Sequence, residues 1–362
     1  MKQVLAVISC VLGLVCLAGV LPAAGQADQV YVVDISGDVD PGMAAFVDRA
    51  FREIPDGDHL VVLEMDTFGG RVDAALMIVD TIVNFDRGTT VALVTRKAIS
   101  AGALIALACD RLAMRPHTTL GDCAPIMVSS EGPEMLGEKF QSPLRAKFRS
   151  LARENGYPEV LAEAMVTADM EVLQLTTEDG PVYLDARDFQ EWSEAEKAAV
   201  VGRKTVVAKG ELLTMNDVEA RELGFSLMTA ADRTALLEHL GPAEYEIVPV
   251  DPTWTEGLMR FIGTIAPLLM LIGLGGLYTE IKAPGFGAPG IVGIICLTLF
   301  FMNQYTVGLA GYTELLIILL GFVLIVFELF VIPGFGIAGI AGVLFIVVGL
   351  VLSLQGFVLP DP

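Results

Sequence analysis

The last hundred residues of this 362-residue chain carry almost no charge, and this limits its possible folds more than any other feature. Beyond Arg260 the charged side chains are Glu280, Lys282, Glu314, Glu328 and Asp361. So few charges cannot keep a surface in water, and the apolar runs have the length that a bilayer core demands of a helix, roughly 20 residues. Four spans are expected, near 258–279, 287–303, 313–332 and 335–355. The net charge of −21 therefore belongs to the first two-thirds of the chain, although 54% of all residues are hydrophobic. An acidic part without a basic stripe has nothing to release counterions from phosphates, which excludes nucleic acid as a partner. The organisation expected is one α/β domain over 28–250 followed by a membrane domain over 251–362.

The apolar third contains a repeat. Glu280-Ile-Lys-Ala-Pro-Gly-Phe-Gly287 and Glu328-Leu-Phe-Val-Ile-Pro-Gly-Phe-Gly336 each follow one expected span and precede the next. Each copy reads as a helix, a Pro-Gly-Phe-Gly turn and a second helix, paired as a hairpin. Glu280 and Glu328 are expected to cap these turns at headgroup level; ion translocation through them is the competing reading. At the other end, a single lysine, an apolar stretch from Val4 to Val20 and small residues up to Gly25-x-Ala27 read as a signal peptide over 1–27, or as an uncleaved anchor. Either way the following domain is exported. Cys109 and Cys123 are that domain's two cysteines, and they form either a disulfide or two buried thiols. His59, His117 and His239 are too scattered for a metal site, and neither metal nor cofactor is expected.

From Gln29 to about Val250, β-branched runs alternate with helical ones. Strands are expected at Val30–Asp34, Leu60–Met65, Thr90–Val94 and Leu112–Met114, and helices at Pro41–Ile54 and Val72–Phe85. This order implies an α/β fold with parallel strands. A long helix is expected over about 134–155, then a polar insertion carrying a hairpin over 169–209. A short closing helix capped by Thr214 or Asn216 should end at Gly224.

The chemistry concentrates on Lys97-Ala-Ile-Ser100-Ala-Gly, where the third strand gives way to an Ala/Leu-rich helix. A serine there sits among free N–H groups at the positive end of a helix, beside small residues that leave room for a substrate carbonyl. An ordinary helix cap has the same appearance. The second strand ends in Asp66-Thr-Phe-Gly69-Gly70, a glycine pair that lets backbone N–H groups approach a ligand without interference from Cβ.

The Gly-Gly turn after the second strand, Ser-Ala-Gly after the third, Thr118-Thr-Leu-Gly121 after the fourth and the Leu213–Gly224 segment together resemble the Clp-peptidase/crotonase superfold. The Pro-Gly-Phe-Gly membrane domain narrows the resemblance to the NfeD family of membrane-bound serine peptidases, long form, over nearly the whole chain. The resemblance implies an endopeptidase with a Ser-Lys dyad that cleaves hydrophobic segments of a partner membrane protein. It also implies association with stomatin- or flotillin-like membrane proteins, dimers or higher oligomers, and a multi-pass protein of the inner membrane with its peptidase domain on the periplasmic or extracellular side.

Mapped by motif, Ser100 is the nucleophile, and Gly69, Gly70 and the N–H of Ala101 form the oxyanion hole. The segment in which Clp peptidases carry their His reads Asp122-Cys-Ala-Pro125 and has none; His117 is read as structural. The base then comes from the following helix, with Lys139 favoured, Lys147 second and Lys97 third. Phe68 stands where the family's turn usually has Pro. A catalytically inactive scaffold partnering stomatin-like proteins is the alternative, and a transporter built on the Glu-bearing hairpins a weaker third. The small C-terminal OB barrel usual in the long form does not appear before Pro362.

Overall fold

The computed structural model describes residues 28–129, 132–177, 180–240, 244–282, 287–306, 312–330 and 336–355. The expected signal peptide and most of both Pro-Gly-Phe-Gly turns lie outside these. In chain order the first domain runs β1 (Asp28–Ser36), α1 (Pro41–Glu53), β2 (His59–Thr67), α2 (Val72–Val83), β3 (Gly88–Ile99), α3 (Ala101–Ala108), β4 (Arg111–Met114) and β5 (Thr119–Gly121). A hairpin of β6 (Ile126–Ser129) and β7 (Gly132–Met135) follows, then α4 (Glu138–Asn155) and α5 (Glu159–Ala164). Next come β8 (Val172–Thr177), β9 (Gly180–Asp185), α6 (Ala186–Glu191), α7 (Glu194–Ala198) and β10 (Gly202–Val207). The domain closes with β11 (Thr214–Asn216), α8 (Asp217–Glu222), α9 (Arg233–Leu240) and β12 (Tyr245–Val250).

The main sheet has the order β11-β5-β3-β2-β1-β12, with β4 also on β3. Its pairs are parallel except β11 with β5. Both faces are covered. Val33, Ile35, Leu63 and Met65 join the helices α1 to α5 in one core. Val30, Val32, Val62 and Leu93 pack against Leu236 and Leu237 of α9 on the other side. Burial on both faces explains why these strands read as unbroken aliphatic runs rather than alternating ones. The expected α/β fold with parallel strands is therefore seen directly, and the polar insertion forms the antiparallel sheet β10-β8-β9. Asn216, rather than Thr214, caps α8, accepting from the Val218 and Glu219 amides while Glu219 reaches back to the Asn216 N–H.

Three elements differ from the sequence reading. The third strand does not stop at Val94: β3 continues to Ile99, because two extra residues are accommodated between the pairs Met65–Val94 and Asp66–Lys97. Beyond this bulge the strand keeps β2 on one side, through Asp66–Lys97 and Thr67–Ala98, and exchanges β4 for β5 on the other, where Lys97, Ala98 and Ile99 pair with Thr119, Leu120 and Gly121. The long helix begins at Glu138 instead of about 134, since the residues before it form the β6–β7 hairpin. The first expected span, 258–279, is two helices, α10 (Trp254–Thr264) and α11 (Ala266–Lys282), bent by 63°. Pro267 is the reason: it has no N–H to donate, and its ring would collide with the Gly263 carbonyl in a continuous helix.

Beyond α11 lie α12 (Ala288–Thr306), α13 (Tyr312–Phe330) and α14 (Ile337–Gln355). Among the described residues one helix segment, Ala288–Tyr305, is long and apolar enough by itself to cross a membrane, and the bent pair α10–α11 passes the same test only as a unit. Glu280 and Glu328 are buried, and they do cap the turns. Glu280 accepts from the N–H groups of Gly287 at 2.8 Å and Gly290 at 3.0 Å, and Glu328 from that of Gly336. A carboxylate on the first free N–H groups of the following helix satisfies them where water is scarce.

Candidate active site

Ser100 occupies the joint between β3 and α3 with φ 55° and ψ −118°. A non-glycine residue there costs about 1–3 kcal/mol, a strain that the surrounding structure must hold in place. Three contacts hold it. The Ser100 N–H donates to the Gly121 carbonyl on β5 at 3.0 Å, and the Ser100 carbonyl accepts from Ala103 and Leu104 of α3. Ser100 stands at the N-cap position, yet its hydroxyl caps nothing. The capping reading of this serine therefore fails. Among the described residues no side chain makes a hydrogen bond to its Oγ.

The Gly69-Gly70 turn lies against this joint. Gly69 has φ 106°, and a Cβ on it would stand 2.6 Å from Ser100 Cβ and 3.1 Å from the Ala101 nitrogen. Only glycine allows the two segments to approach so closely. The turn is pinned by the strand-to-helix connection before α1: Val39 donates to the Gly69 carbonyl at 2.9 Å, and Arg71 donates to the Val39 carbonyl at 2.8 Å. The Gly69 N–H is already committed to Thr67 Oγ1 at 2.9 Å. Of the three expected oxyanion donors, Gly69 thus shapes the turn, while Gly70 and Ala101 carry the N–H groups still to be used. Ala101 is the first residue of a helix buried along its whole length, where the partial charge at the N-terminus is least screened.

A narrow slot opens beside Ser100, walled by Val72 and Ala75 of α2, Leu104 of α3 and Leu144 and Phe148 of α4. Cys123 also lines it. Burial pushes the Cys123 thiol well above its ordinary range, so it is no rival nucleophile at neutral pH. Cys123 and Cys109 are both buried free thiols. The rim is apolar: Phe68 and Ile126, which adjoin Gly69 and the slot-lining Pro125, are exposed.

The lysines are dispersed. Lys147 Nζ is ion-paired with Asp80 of α2 at 3.0 Å, and Asp80 lies five residues past the slot-lining Ala75, about 7.5 Å along the helix. Lys97 Nζ lies 3.5 Å from Asp66 Oδ1 and 3.8 Å from the centre of the Phe68 ring. That stack is what Phe68 does at the position where proline is expected. Lys139, on the first turn of α4, is exposed and takes no ion pair among the described residues. The structure brings Gly69 of the glycine pair against Ser100 and Ala101, and among the described residues neither Lys139 nor Lys147 makes a hydrogen bond to Ser100. His117 stands in the turn before β5 with φ 64°, its N–H donating to Asp217.

Residues 29–198 match the N-terminal domain of NfeD1b, and residues 264–360 match the NfeD integral membrane domain. The membrane protein NfeD1b of Bacillus subtilis is 33% identical over 95% of this chain and 71% of its own length. The chain belongs to the NfeD family. A second relative, the membrane-bound protease PH1510 of Pyrococcus horikoshii, is 28% identical over 90% of this chain and 69% of its own. Among solved structures, a mutant of the 1510-N membrane-bound stomatin-specific protease of Pyrococcus horikoshii in complex with a substrate peptide shares 22% identity. It covers 66% of this chain and 98% of that one, with a TM-score of 0.48. This NfeD protein therefore pairs an α/β domain with an integral membrane domain, in a family that includes a membrane-bound protease.

Proposed function

We propose that this protein is a membrane-anchored serine endopeptidase that cuts apolar segments of a partner membrane protein. The observation that carries the reading is Ser100: an uncapped hydroxyl on a strained strand-to-helix joint, with the Gly69-Gly70 backbone against it. Strain of this kind persists where it serves a purpose, and here it turns Oγ away from the capping role that an unstrained serine would take.

In the reaction Ser100 Oγ attacks the scissile carbonyl carbon while a base takes its proton. The N–H groups of Gly70 and Ala101 hold the oxyanion. The base returns the proton to the leaving amine, and water then hydrolyses the acyl ester on Ser100. Lys139 is the base in this reading. Lys147 and Lys97 would first have to leave Asp80 and Asp66, whereas Lys139 has no ion pair to leave among the described residues. Lys139 must still approach Oγ when a peptide binds, as catalytic contacts often tighten only in the complex. The slot of Val72, Ala75, Leu104, Leu144 and Phe148 selects an apolar side chain next to the scissile bond. A stomatin-like membrane protein supplies such a segment, in keeping with the specificity that the 1510-N protease bears in its name.

The four helices α11 to α14 have 17 to 19 residues each, about 25–29 Å at 1.5 Å per residue, close to a bilayer core. We take them as four spans in two hairpins, with the α/β domain of 28–250 on the periplasmic or extracellular side. A second reading, an inactive scaffold for stomatin-like proteins, is favoured by the absence, among the described residues, of a base hydrogen-bonded to Ser100 Oγ. Cleavage of a purified apolar peptide by the full chain separates the two. The enzyme reading expects cleavage abolished in Ser100→Ala, reduced at least a hundredfold in Lys139→Ala and little changed in Lys147→Ala. No cleavage by the native chain of any apolar segment from the stomatin-like partner favours the scaffold.

A further inference from the structure

α10 is amphipathic in an unusual setting. Thr253 and Glu256 form a capping box that starts it at Trp254. Trp254, Leu258 and Phe261 follow at helical spacing along one side and are 79%, 44% and 59% exposed. The opposite side is fastened to the α/β domain. Arg49 of α1 makes a two-pronged ion pair with Glu256, at 2.7 and 3.0 Å, and also donates to the Asp251 carbonyl. Arg260 reaches Asp40 and the Asp38 carbonyl, both at 3.3 Å. Every charge of the helix is thus spent on the domain, and its outer stripe carries apolar and aromatic groups.

We infer that α10 lies in the membrane interface, with Trp254, Leu258 and Phe261 inserted at the boundary between headgroups and acyl chains. The occupant of this face is the bilayer itself, for reasons of continuity. α10 runs directly into α11, and the integral membrane domain begins at residue 264. The apolar exposure continues without a break in kind into Leu268 and Leu271 of α11. The bend of 63° lays α10 closer to the membrane plane than to the normal when α11 stands upright. A tryptophan at the outer end of such a stripe is an interface residue by its chemistry, an apolar ring with one N–H to hydrogen-bond at the headgroups.

The consequence is positional. Arg260 holds Asp38, and the next residue, Val39, exchanges backbone hydrogen bonds with the Gly69–Arg71 turn beside Ser100. An interfacial α10 therefore fixes the Gly69-Gly70 turn close above the bilayer. The inference does not depend on chemistry at Ser100.

The chain has two tryptophans, Trp192 and Trp254, which makes the test direct. The full chain with Trp192→Phe is placed one copy per lipid nanodisc, with lipids brominated at shallow or deep acyl positions. Trp254 emission should be blue-shifted and quenched, most by the shallow bromines. Native chain and Trp254→Phe, compared in the same discs, give the same answer should Trp192→Phe not fold: the quenched component is lost with Trp254. Emission of a water-exposed indole without quenching overturns the proposal, as does quenching mainly by deep bromines. So does blue-shifted emission that no bromine quenches, which would mean that protein covers the stripe.

Discussion

A serine that spends backbone strain to stay uncapped makes a prediction about stability as well as activity. Ser100→Gly relieves φ 55°, whereas Ser100→Ala retains it. The glycine variant should be the more stable of the two by about 1 kcal/mol in thermal unfolding, after glycine's own entropic cost, while both are inactive. Equal stability would mean that the joint is not strained. At Gly69, Gly69→Ala drives a methyl to within 2.6 Å of Ser100 Cβ at a φ of 106°. We expect a loss of about 2 kcal/mol or more in stability and activity at least tenfold down. The placement of Ser100 at a strand-to-helix joint and of the glycine pair at the end of β2 was legible in the sequence, because β-branched runs give way there to small or Ala/Leu-rich residues. The dihedral of Ser100 was not legible, since it follows from the β3 bulge and the pairing with β5. Nor was the engagement of the Gly69 N–H by Thr67, a contact between residues two apart whose geometry no pattern encodes. The base was not legible in the sequence either, because three lysines of similar standing differ only in tertiary partners, Asp66 for Lys97 and Asp80 for Lys147.

Among elements, α10 is the part whose behaviour follows most directly from its contacts. Burial raises the Glu256 carboxyl, but Arg49 and the Thr253 cap outweigh this and hold it below its ordinary range. A lowered carboxylate contributes stability above its unfolded value of about 4.3, and that contribution is lost as pH falls through the folded value. Amide exchange in α10 should therefore accelerate below about pH 4, and Arg49→Ala should do the same at neutral pH, by about 2 kcal/mol in opening free energy. Exchange unaffected by either would show that α10 is held by lipid alone. In the second hairpin, a Cβ on Gly321 would meet the Gly342 carbonyl at 2.7 Å, and the reverse contact is the same. Gly321→Leu should separate α13 from α14 and lower the thermal stability in detergent by several degrees; an unchanged melting temperature would mean that the helices part freely. The hairpins were readable from the repeated motif and the hydropathy. The break at Ile265 was not, because apolar content runs across it and only Pro267 marks it. The β6–β7 hairpin was not readable for a related reason: its few residues before α4 carry no alternation strong enough to stand against a neighbouring helical pattern.

On the scale of the whole molecule, charge segregation set the plan: an acidic α/β domain, then an apolar domain with few charges, two of whose carboxylates, Glu280 and Glu328, cap turns. The α/β order was legible because strands buried on both faces and helices with one apolar face repeat several times. β12 was not legible, as Tyr245–Val250 is short, half-exposed and distant in sequence from its partner β1. In the proposed account, the two domains joined by α10 hold the apolar slot beside Ser100 close to a membrane that carries the substrate. That account stands on Ser100 as a nucleophile. The most direct test is mass-spectrometric mapping of a fluorophosphonate adduct on the full chain in lipid, between pH 7 and 10. The account predicts a single adduct on Ser100, absent from Ser100→Ala and slowed in Lys139→Ala; a folded chain that takes no label at Ser100 anywhere in that range would contradict it.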